Sequence, residues 1–113
     1  MPRPEIIRML QWMRNTERGT LPKVEIILFS GRQEKFRSVT LRWLKKHKVP
    51  FQKLYMRVDG DKRNDAIVKR ELYEQYVEPK FDVWFVMDDR DRVVDMWRKE
   101  LGLMCLQPNY GDF

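Results

Sequence analysis

The chain has 113 residues, enough for one domain with a modest core and too few for a second, so we predict a single domain over residues 1–113. Hydrophobic residues make up 42% of it and charged residues 35%, a balance that excludes a disordered or collagen-like protein. Lys and Arg number 23 against 17 Asp and Glu, and the net charge of +6 favours a polyanionic partner such as nucleic acid.

The predicted elements begin with an amphipathic helix over residues 5–15, where apolar residues recur at helical spacing. A β-branched apolar run at 24–29 predicts a strand that is covered on both faces, as strands of parallel sheets usually are. Residues 34–47 return to helical spacing, and residues 54–56 form a weaker strand.

The second half continues the same alternation. A helix runs from a cap at Asp61 or Asn64 to about Val77. A strong strand, a helix and a short strand follow at 83–87, 91–101 and 103–106. Regular alternation of helices and strands predicts an α/β fold with a doubly wound, mostly parallel sheet and helices on both faces.

The sequence has no apolar stretch of the length that a membrane span or a signal peptide requires. Its single cysteine, Cys105, cannot form a disulfide within the chain. These two features predict a protein of a reducing compartment, the cytoplasm, that has no membrane partner.

Polar side chains follow both strong strands, at the edge where open α/β sheets bind ligands. Ser30-Gly31-Arg32 follows the first strand and offers a hydroxyl, backbone N–H groups and a guanidinium, which together suit a phosphoryl group. Asp88-Asp89 follows the second strand, and oxygen ligands of this kind suit Mg²⁺.

Each cluster also has a structural explanation. Ser-Gly is an ordinary turn, and Asp89 or Asp91 can cap the helix that follows. A third polar cluster at 60–65 leads into a helix whose first turns carry Lys69. That lysine can neutralise a phosphate, or it can simply be a solvated surface residue.

The order of these clusters resembles motifs two, three and four of the haloacid dehalogenase superfamily, and more closely the 3′-phosphatase domain that ends phage polynucleotide kinases. The matching stretches are Ser30-Gly31-Arg32, Gly60-Asp61 to Lys69, Phe81-Asp82-Val83, Asp88-Asp89-Arg90, Val93-Val94, Met96-Trp97-Arg98 and Gly111-Asp112-Phe113. The resemblance therefore covers nearly the whole chain.

The resemblance implies a Mg²⁺-dependent phosphatase that acts on nucleic-acid 3′-phosphates. An aspartate would attack the phosphorus, and the resulting aspartyl-phosphate would then be hydrolysed. The implied catalytic residues are Ser30, Arg32, Asp65 and Lys69. The implied phosphate-binding residues are Ser30, Gly31, Arg32 and Lys69, and the implied Mg²⁺ ligands are Asp88 and Asp89.

The same mechanism needs an Asp-x-Asp motif, which supplies the nucleophile and the general acid and base. In the family this motif precedes the helix that corresponds to residues 5–15, and only Met1–Pro4 precede that helix here. Asp-x-Asp also occurs at 59–61 and 89–91, but the first follows motif two and the second overlaps motif four. We therefore expect the sequence to lack the central first strand of its sheet and to be inactive alone.

Three functions remain open at this point. The chain can be an incomplete 3′-phosphatase, completed by an upstream domain or by a partner chain that supplies the Asp-x-Asp strand. It can be a non-catalytic module that binds nucleic acid or phosphate, or it can have a structural role. Apolar strands without their neighbour also favour association, including a homo-oligomer. A phage-encoded member would act in the host cytoplasm.

Basic and aromatic residues bear on the second of these functions. A cluster at the end of the second predicted helix favours nucleic-acid binding, although it also suits a helix C-terminus. It contains Arg42, Lys45, Lys46 and Lys48, with His47 among them. Aromatic residues that can stack on bases are Trp12, Tyr55 and Tyr110, whereas those expected in the core are Trp43, Trp84 and Trp97.

Overall fold

A computed structural model describes residues 3–15 and 24–111. The chain forms two compact units, Met1–Asp61 and Lys62–Phe113, and each contains one two-stranded parallel sheet. Of the stretches that carry the family resemblance, Asp112 and Phe113 lie outside the described residues.

The first unit has two helices and two strands. They are α1 (Pro4–Asn15), β1 (Ile27–Gln33), α2 (Arg37–Lys46, entered through a 3-10 turn at Glu34–Phe36) and β2 (Lys53–Arg57). The strands β1 and β2 run parallel, as a crossover through α2 requires. Their core consists of Leu44, Leu54 and Met56, against which Leu28 and Phe51 pack.

Arg37 fixes the start of α2 in this unit. Its guanidinium donates two hydrogen bonds of 2.8 Å to Glu34 and one of 2.9 Å to the backbone carbonyl of Leu54 in β2. The hydrogen bond from Arg37 lowers the pKa of Glu34 below its ordinary value. One side chain therefore links the helix to the strand that follows it.

The second unit continues with α3 (Asp65–Leu72), β3 (Val86–Met87), α4 (Asp91–Asp95) and β4 (Cys105–Leu106). Both helices continue as π-helical turns, at Tyr73–Val77 and Met96–Glu100. The core is almost closed to solvent and contains Val68, Val93, Val94, Met96 and Trp97. Asn64 caps α3, because its side chain accepts the backbone N–H of Ala66 at 2.9 Å, as the sequence predicts.

These elements confirm an α/β fold with parallel strands. Within the described residues, β1 and β3 each have one hydrogen-bonded neighbour, and they belong to separate sheets. A central strand missing from one continuous sheet, helices on both faces of it, and association of the chain stay predictions. No helix of the described ranges is both long and apolar enough to cross a membrane.

The observed strands differ in length from the predicted ones, and the differences in β1 and β3 bear on the site. β1 extends to Gln33, four residues beyond the predicted end, so Ser30-Gly31-Arg32 lies inside the strand. β3 has two residues instead of five, because β4 offers only Cys105 and Leu106 as hydrogen-bonded partners. An apolar run predicts burial, but hydrogen bonding to a neighbour decides where a strand begins and ends.

The core prediction holds for Trp97 and is wrong for two other tryptophans. Trp43 is 41% exposed and Trp84 is 57% exposed. Trp84 precedes the short paired segment of β3, and Trp43 lies on the face of α2 that is turned away from buried Thr40 and Leu44. Trp12 and Tyr110 are exposed as predicted, and Tyr55 is half-buried.

Candidate active site

The second unit holds Lys69 between two carboxylates. Its ammonium nitrogen Nζ lies 3.3 Å from Oδ2 of Asp65, one helical turn earlier in α3, and 3.1 Å from Oδ2 of Asp88, which directly follows β3. The three side chains are only 12%, 8% and 13% exposed, in the order Lys69, Asp65 and Asp88. Three of the predicted site residues, two from α3 and one from the end of β3, therefore meet at one partly buried point.

Further donors fix the orientation of Asp88. The indole Nε1 of Trp97 donates to Oδ2 at 3.4 Å, and the backbone N–H of Arg90 donates to Oδ1 at 3.3 Å. Trp97 belongs to the π-helical turn that ends α4, a type of turn that is frequent at functional sites. Its ring packs edge-on against Tyr73, with the centroids 5.7 Å apart. The core of the unit thus holds one carboxylate in place.

Arg90 is the second cation of this site. Its guanidinium lies 3.4 Å from Oδ2 of Asp65, the oxygen that also contacts Lys69. The positive charges of Lys69 and Arg90 balance the negative charges of Asp65 and Asp88. When Asp89 is counted as well, the group has one net negative charge. Buried carboxylates need such compensation. The family resemblance implies that Asp65, Lys69 and Asp88 belong to one site, but it does not give the Arg90–Asp65 contact.

A loop that contains Gln107 and Gly111 is hydrogen-bonded to the segment that follows β3. The Oδ1 atom of Asp91 accepts hydrogen bonds from Nε2 of Gln107 at 2.7 Å and from the backbone N–H of Gly111 at 3.0 Å. The same Gln107 amide donates to the backbone carbonyl of Asp89 at 3.0 Å. The predicted cap at Asp89 or Asp91 is wrong: the N-cap residue is Arg90, and Asp91 binds this loop instead.

The first unit carries Ser30, Gly31 and Arg32 in a bulge of β1. Ser30 pairs with Met56 and Gln33 with Arg57, so β1 has two extra residues, Gly31 and Arg32, that the register passes over. The Ser30 hydroxyl oxygen accepts the backbone N–H of Arg32 at 3.2 Å. Bulges often redirect side chains next to active sites.

Neighbouring side chains hold this bulge. Nε of Arg57 donates to the carbonyl of Gly31 at 2.8 Å, and the Arg32 guanidinium lies 5.1 Å from the centroid of the Phe36 ring. Arg32 is exposed, so its donors can reach a ligand. That this group and the Lys69 group bind one phosphate stays a prediction.

Comparison with known proteins identifies the family of the chain. The model of the polynucleotide kinase PNKP phosphatase domain family matches residues 1–113. The chain belongs to this family. The family resemblance inferred from the sequence is thereby confirmed.

Solved structures agree with this membership of the polynucleotide kinase phosphatase family. The chain is similar to one chain of the Pnkp1/Rnl/Hen1 RNA repair complex, at 39% identity over 97% of its length and with a TM-score of 0.82. A structure of the Pnkp1/Rnl/Hen1 complex gives the same three values. The chain spans 32% and 35% of those two longer chains.

A viral protein is also similar to this chain. It is assigned as a bifunctional polynucleotide kinase/RNA ligase of Autographa californica nuclear polyhedrosis virus. It is 35% identical over 74 residues, which are 65% of the present chain and 11% of the viral protein. The chain thus spans a small part of the relatives that it resembles.

The family resemblance implies Mg²⁺, with Asp88 and Asp89 as its predicted ligands. Mg²⁺ is usually bound by one or two carboxylates together with water and substrate phosphate. In the described part of the chain, no three carboxylate, histidine or cysteine side chains gather as a metal site would require. Asp88 and Asp89 are carboxylates of the kind that Mg²⁺ accepts, and a Mg²⁺ site on them stays a prediction.

Cys105 in β4 pairs with Val86 of β3, two residues before Asp88. Burial, and then the negative charge of Asp88, raise the pKa of its thiol above the ordinary value. A buried thiol with a raised pKa stays protonated at neutral pH and is a poor nucleophile. Cys105 is thus a free, buried thiol that packs as a small apolar side chain.

The predicted nucleic-acid-binding residues Arg42, Lys45, Lys46 and Lys48 lie on or just after α2. All four are exposed, and the structure shows no salt bridge of their side chains to any described residue. His47 is half-buried and packs against Trp43, with the ring centroids 4.5 Å apart. The basic cluster is thus available to a ligand.

Proposed function

We propose that this chain provides the phosphate-binding and metal-binding part of a polynucleotide 3′-phosphatase of the haloacid dehalogenase type. The observation that carries the proposal is the contact of Lys69 with both Asp65 and Asp88 at the carboxyl end of β3. Open α/β folds bind their ligands at this end of their strands. The family membership of the chain gives the class of reaction.

Lys69 acts as the phosphate-binding cation. An ammonium group has three N–H donors, and contacts with Asp65 and Asp88 use two of them. The third donor is left for an oxygen of the phosphoryl group. Because both carboxylates hold the ammonium in place, binding the phosphate costs little rearrangement.

Ser30 and Arg32 supply the other contacts to the phosphoryl group. A serine hydroxyl donates one hydrogen bond, and a guanidinium can donate two parallel bonds to a phosphate. The bulge of β1 presents both residues at the end of that strand. Gly31 lies between them and lets the backbone approach the ligand closely.

Asp88 and Asp89 would hold the Mg²⁺ ion. When bound, the ion neutralises charge on the phosphoryl oxygens and orients the group for attack. Asp88 is already oriented by Trp97 and by the Arg90 backbone, so its carboxylate needs no rearrangement. Arg90 adds a second positive charge next to Asp65, the carboxylate that it shares with Lys69.

The nucleophile comes from a segment outside these 113 residues. Both Asp-x-Asp patterns in the sequence have structural contacts: Asp59 accepts the backbone N–H of Lys35 at 2.8 Å, and Asp91 binds the loop that contains Gln107. We propose that a strand carrying Asp-x-Asp, from the same polypeptide or from another, completes the site. Its aspartate attacks the phosphorus, the ester oxygen leaves with a proton from the second aspartate, and water then hydrolyses the aspartyl-phosphate.

RNA ends are the proposed substrate. The similar chains belong to an RNA repair complex, and the viral relative is assigned as a polynucleotide kinase/RNA ligase. Hydrolysis of a 3′-phosphate leaves a 3′-hydroxyl. The proposed partners are therefore nucleic acid with 3′-phosphorylated ends and other proteins that act on RNA ends.

The test is positional specificity in a protein that carries the missing strand. A polypeptide with an Asp-x-Asp strand placed ahead of α1 receives the same oligoribonucleotide with its phosphate at the 3′ end or at the 5′ end. We expect Mg²⁺-dependent release from the 3′ end at about 1 s⁻¹ or more and at least roughly a hundredfold slower release from the 5′ end. Equal rates at both ends would show a phosphatase without the proposed specificity, and no release from either would favour the non-catalytic binding module.

A further inference from the structure

The outer face of α2 combines exposed apolar and basic side chains. Val39, Arg42, Trp43 and Lys46 follow the spacing i, i+3, i+4, i+7, which places them along one stripe of the helix. The opposite side of the helix buries Thr40 and Leu44 in the first unit. α2 therefore has a second apolar stripe, in which Val39 is 43% exposed and Trp43 is 41% exposed.

The charge around this stripe has one sign. Residues 35–58 contain eight Lys and Arg residues and no Asp or Glu. The difference extends to the whole unit: residues 1–61 carry 14 Lys and Arg against six Asp and Glu, whereas residues 62–113 carry nine against 11. The net charges are therefore +8 and −2, which sum to the +6 of the whole chain.

The side chains of this stripe are arranged for stacking. The imidazole of His47 packs against the Trp43 indole at 4.5 Å between centroids, with 53° between the ring planes, and supports the indole from the C-terminal end of the helix. Arg42 and Lys46 flank the indole, and neither forms a salt bridge with a described residue. An exposed aromatic ring between cations without acidic partners matches the way proteins bind single-stranded nucleic acid, through stacking and phosphate contacts.

We infer that the stripe formed by Val39, Arg42, Trp43 and Lys46 binds a single-stranded segment of nucleic acid. A base stacks on Trp43 next to Val39, while Arg42 and Lys46 contact the flanking phosphates. The choice of nucleic acid over an acidic protein rests on the exposed indole and on the proposed function of the chain. Of the predicted basic cluster, Arg42 and Lys46 belong to this surface, whereas Lys45 and Lys48 lie on other sides of the helix end.

The surface is tested by fluorescence anisotropy of the 113-residue chain with a labelled oligouridylate of about 12 nucleotides, within the usual size of such sites. The oligonucleotide ends in a 3′-hydroxyl, and Mg²⁺ is omitted. Binding therefore reports on α2, and failure of the phosphatase proposal would not affect it. Conversely, hydrolysis of a nucleoside 3′-phosphate, which has no strand to reach α2, tests the phosphatase without this surface.

The double variant Arg42→Gln/Lys46→Gln is expected to bind at least tenfold more weakly at about 50 mM salt. The slope of log affinity against log salt should fall by about 1.4, the value for two phosphate contacts to a single strand. Trp43→Ala should lose roughly tenfold in affinity with an unchanged slope, because stacking is not ionic. Trp43→Phe retains a ring and should retain binding.

The matched control is Lys62→Gln/Lys80→Gln, which removes the same charge from exposed positions of the second unit. It should bind within about twofold of the unmodified chain. An equal loss of affinity in the control would overturn the inference, because binding would then depend on net charge alone. Full affinity in Trp43→Ala, or poly-glutamate that binds as tightly as the oligonucleotide, would also overturn it.

Discussion

Replacing Lys69 by Met should reduce 3′-phosphate release by the completed enzyme about 10³-fold, the usual effect of removing one donor aimed at the reacting group. The variant loses the ammonium group that contacts both Asp65 and Asp88. It also leaves two partly buried carboxylates to a single cation, Arg90, so we expect the free energy of unfolding to fall by about 3 kcal/mol. Initial rates of phosphate release and urea unfolding of the same preparation measure the two effects.

The control for this variant is Lys99→Met. Lys99 is 76% exposed and lies 3.7 Å from Asp95 at the surface, a pair that contributes little to stability. We expect full activity and an unfolding free energy within about 0.5 kcal/mol of the unmodified value. Lys69→Arg keeps the charge but not the compact ammonium, so it should be more stable than Lys69→Met and still lose at least about tenfold in rate. Full activity in Lys69→Met would remove Lys69 from the proposed site.

The 113-residue chain alone is expected to release no phosphate above background, and addition of the missing strand should restore the activity. The reason is chemical: the nucleophilic aspartate and the acid/base aspartate are both needed, and Asp59 and Asp91 are occupied by structural hydrogen bonds. The measurement is Mg²⁺-dependent phosphate release from a 3′-phosphorylated oligoribonucleotide. It is made with the chain alone and with the chain fused behind a strand that contains Asp-x-Asp.

Two variants show whether the phosphatase activity comes from the fused protein or from a contaminating enzyme. In the fused protein, Asn in place of the first aspartate of the added motif should abolish release, and so should Asp88→Asn. Turnover of about 1 s⁻¹ by the unfused chain that Asp88→Asn abolishes would show that the chain holds its own nucleophile. The proposal that the chain needs an added Asp-x-Asp strand for activity would then be wrong.

The family resemblance assigns Lys69, Asp65 and Asp88 to one site, and their meeting agrees with helical spacing and strand ends, which are local properties of the chain. A residue one helical turn from Asp65 must face it, and a residue that directly follows a buried strand must lie at the edge of a sheet. The contacts of Arg90 and Trp97 with these carboxylates could not be predicted in the same way. They depend on the path of α4 after β3 and on the π-helical turn at its end, which no sequence pattern marks.

The tryptophans show a second limit of sequence patterns. Trp43 lies at helical spacing among apolar residues, as a core residue would, but α2 has a second apolar stripe that faces solvent. The bulge at Ser30 has the same kind of cause, because it is a property of the pairing of β1 with β2 rather than of β1 alone. Periodicity gives the faces of an element, and only its neighbours decide which face is buried.

The proposal that Ser30, Arg32 and Lys69 bind one phosphoryl group is tested most directly by a crystal structure. The crystal would contain the chain fused to an Asp-x-Asp strand, Mg²⁺ and a phosphate analogue. We expect the Ser30 hydroxyl, the Arg32 guanidinium and the Lys69 ammonium all to lie within about 3.2 Å of oxygens of one analogue. Asp88 should lie on the Mg²⁺ ion beside it. A structure in which Lys69 and Ser30 contact different ligands would contradict the proposed site.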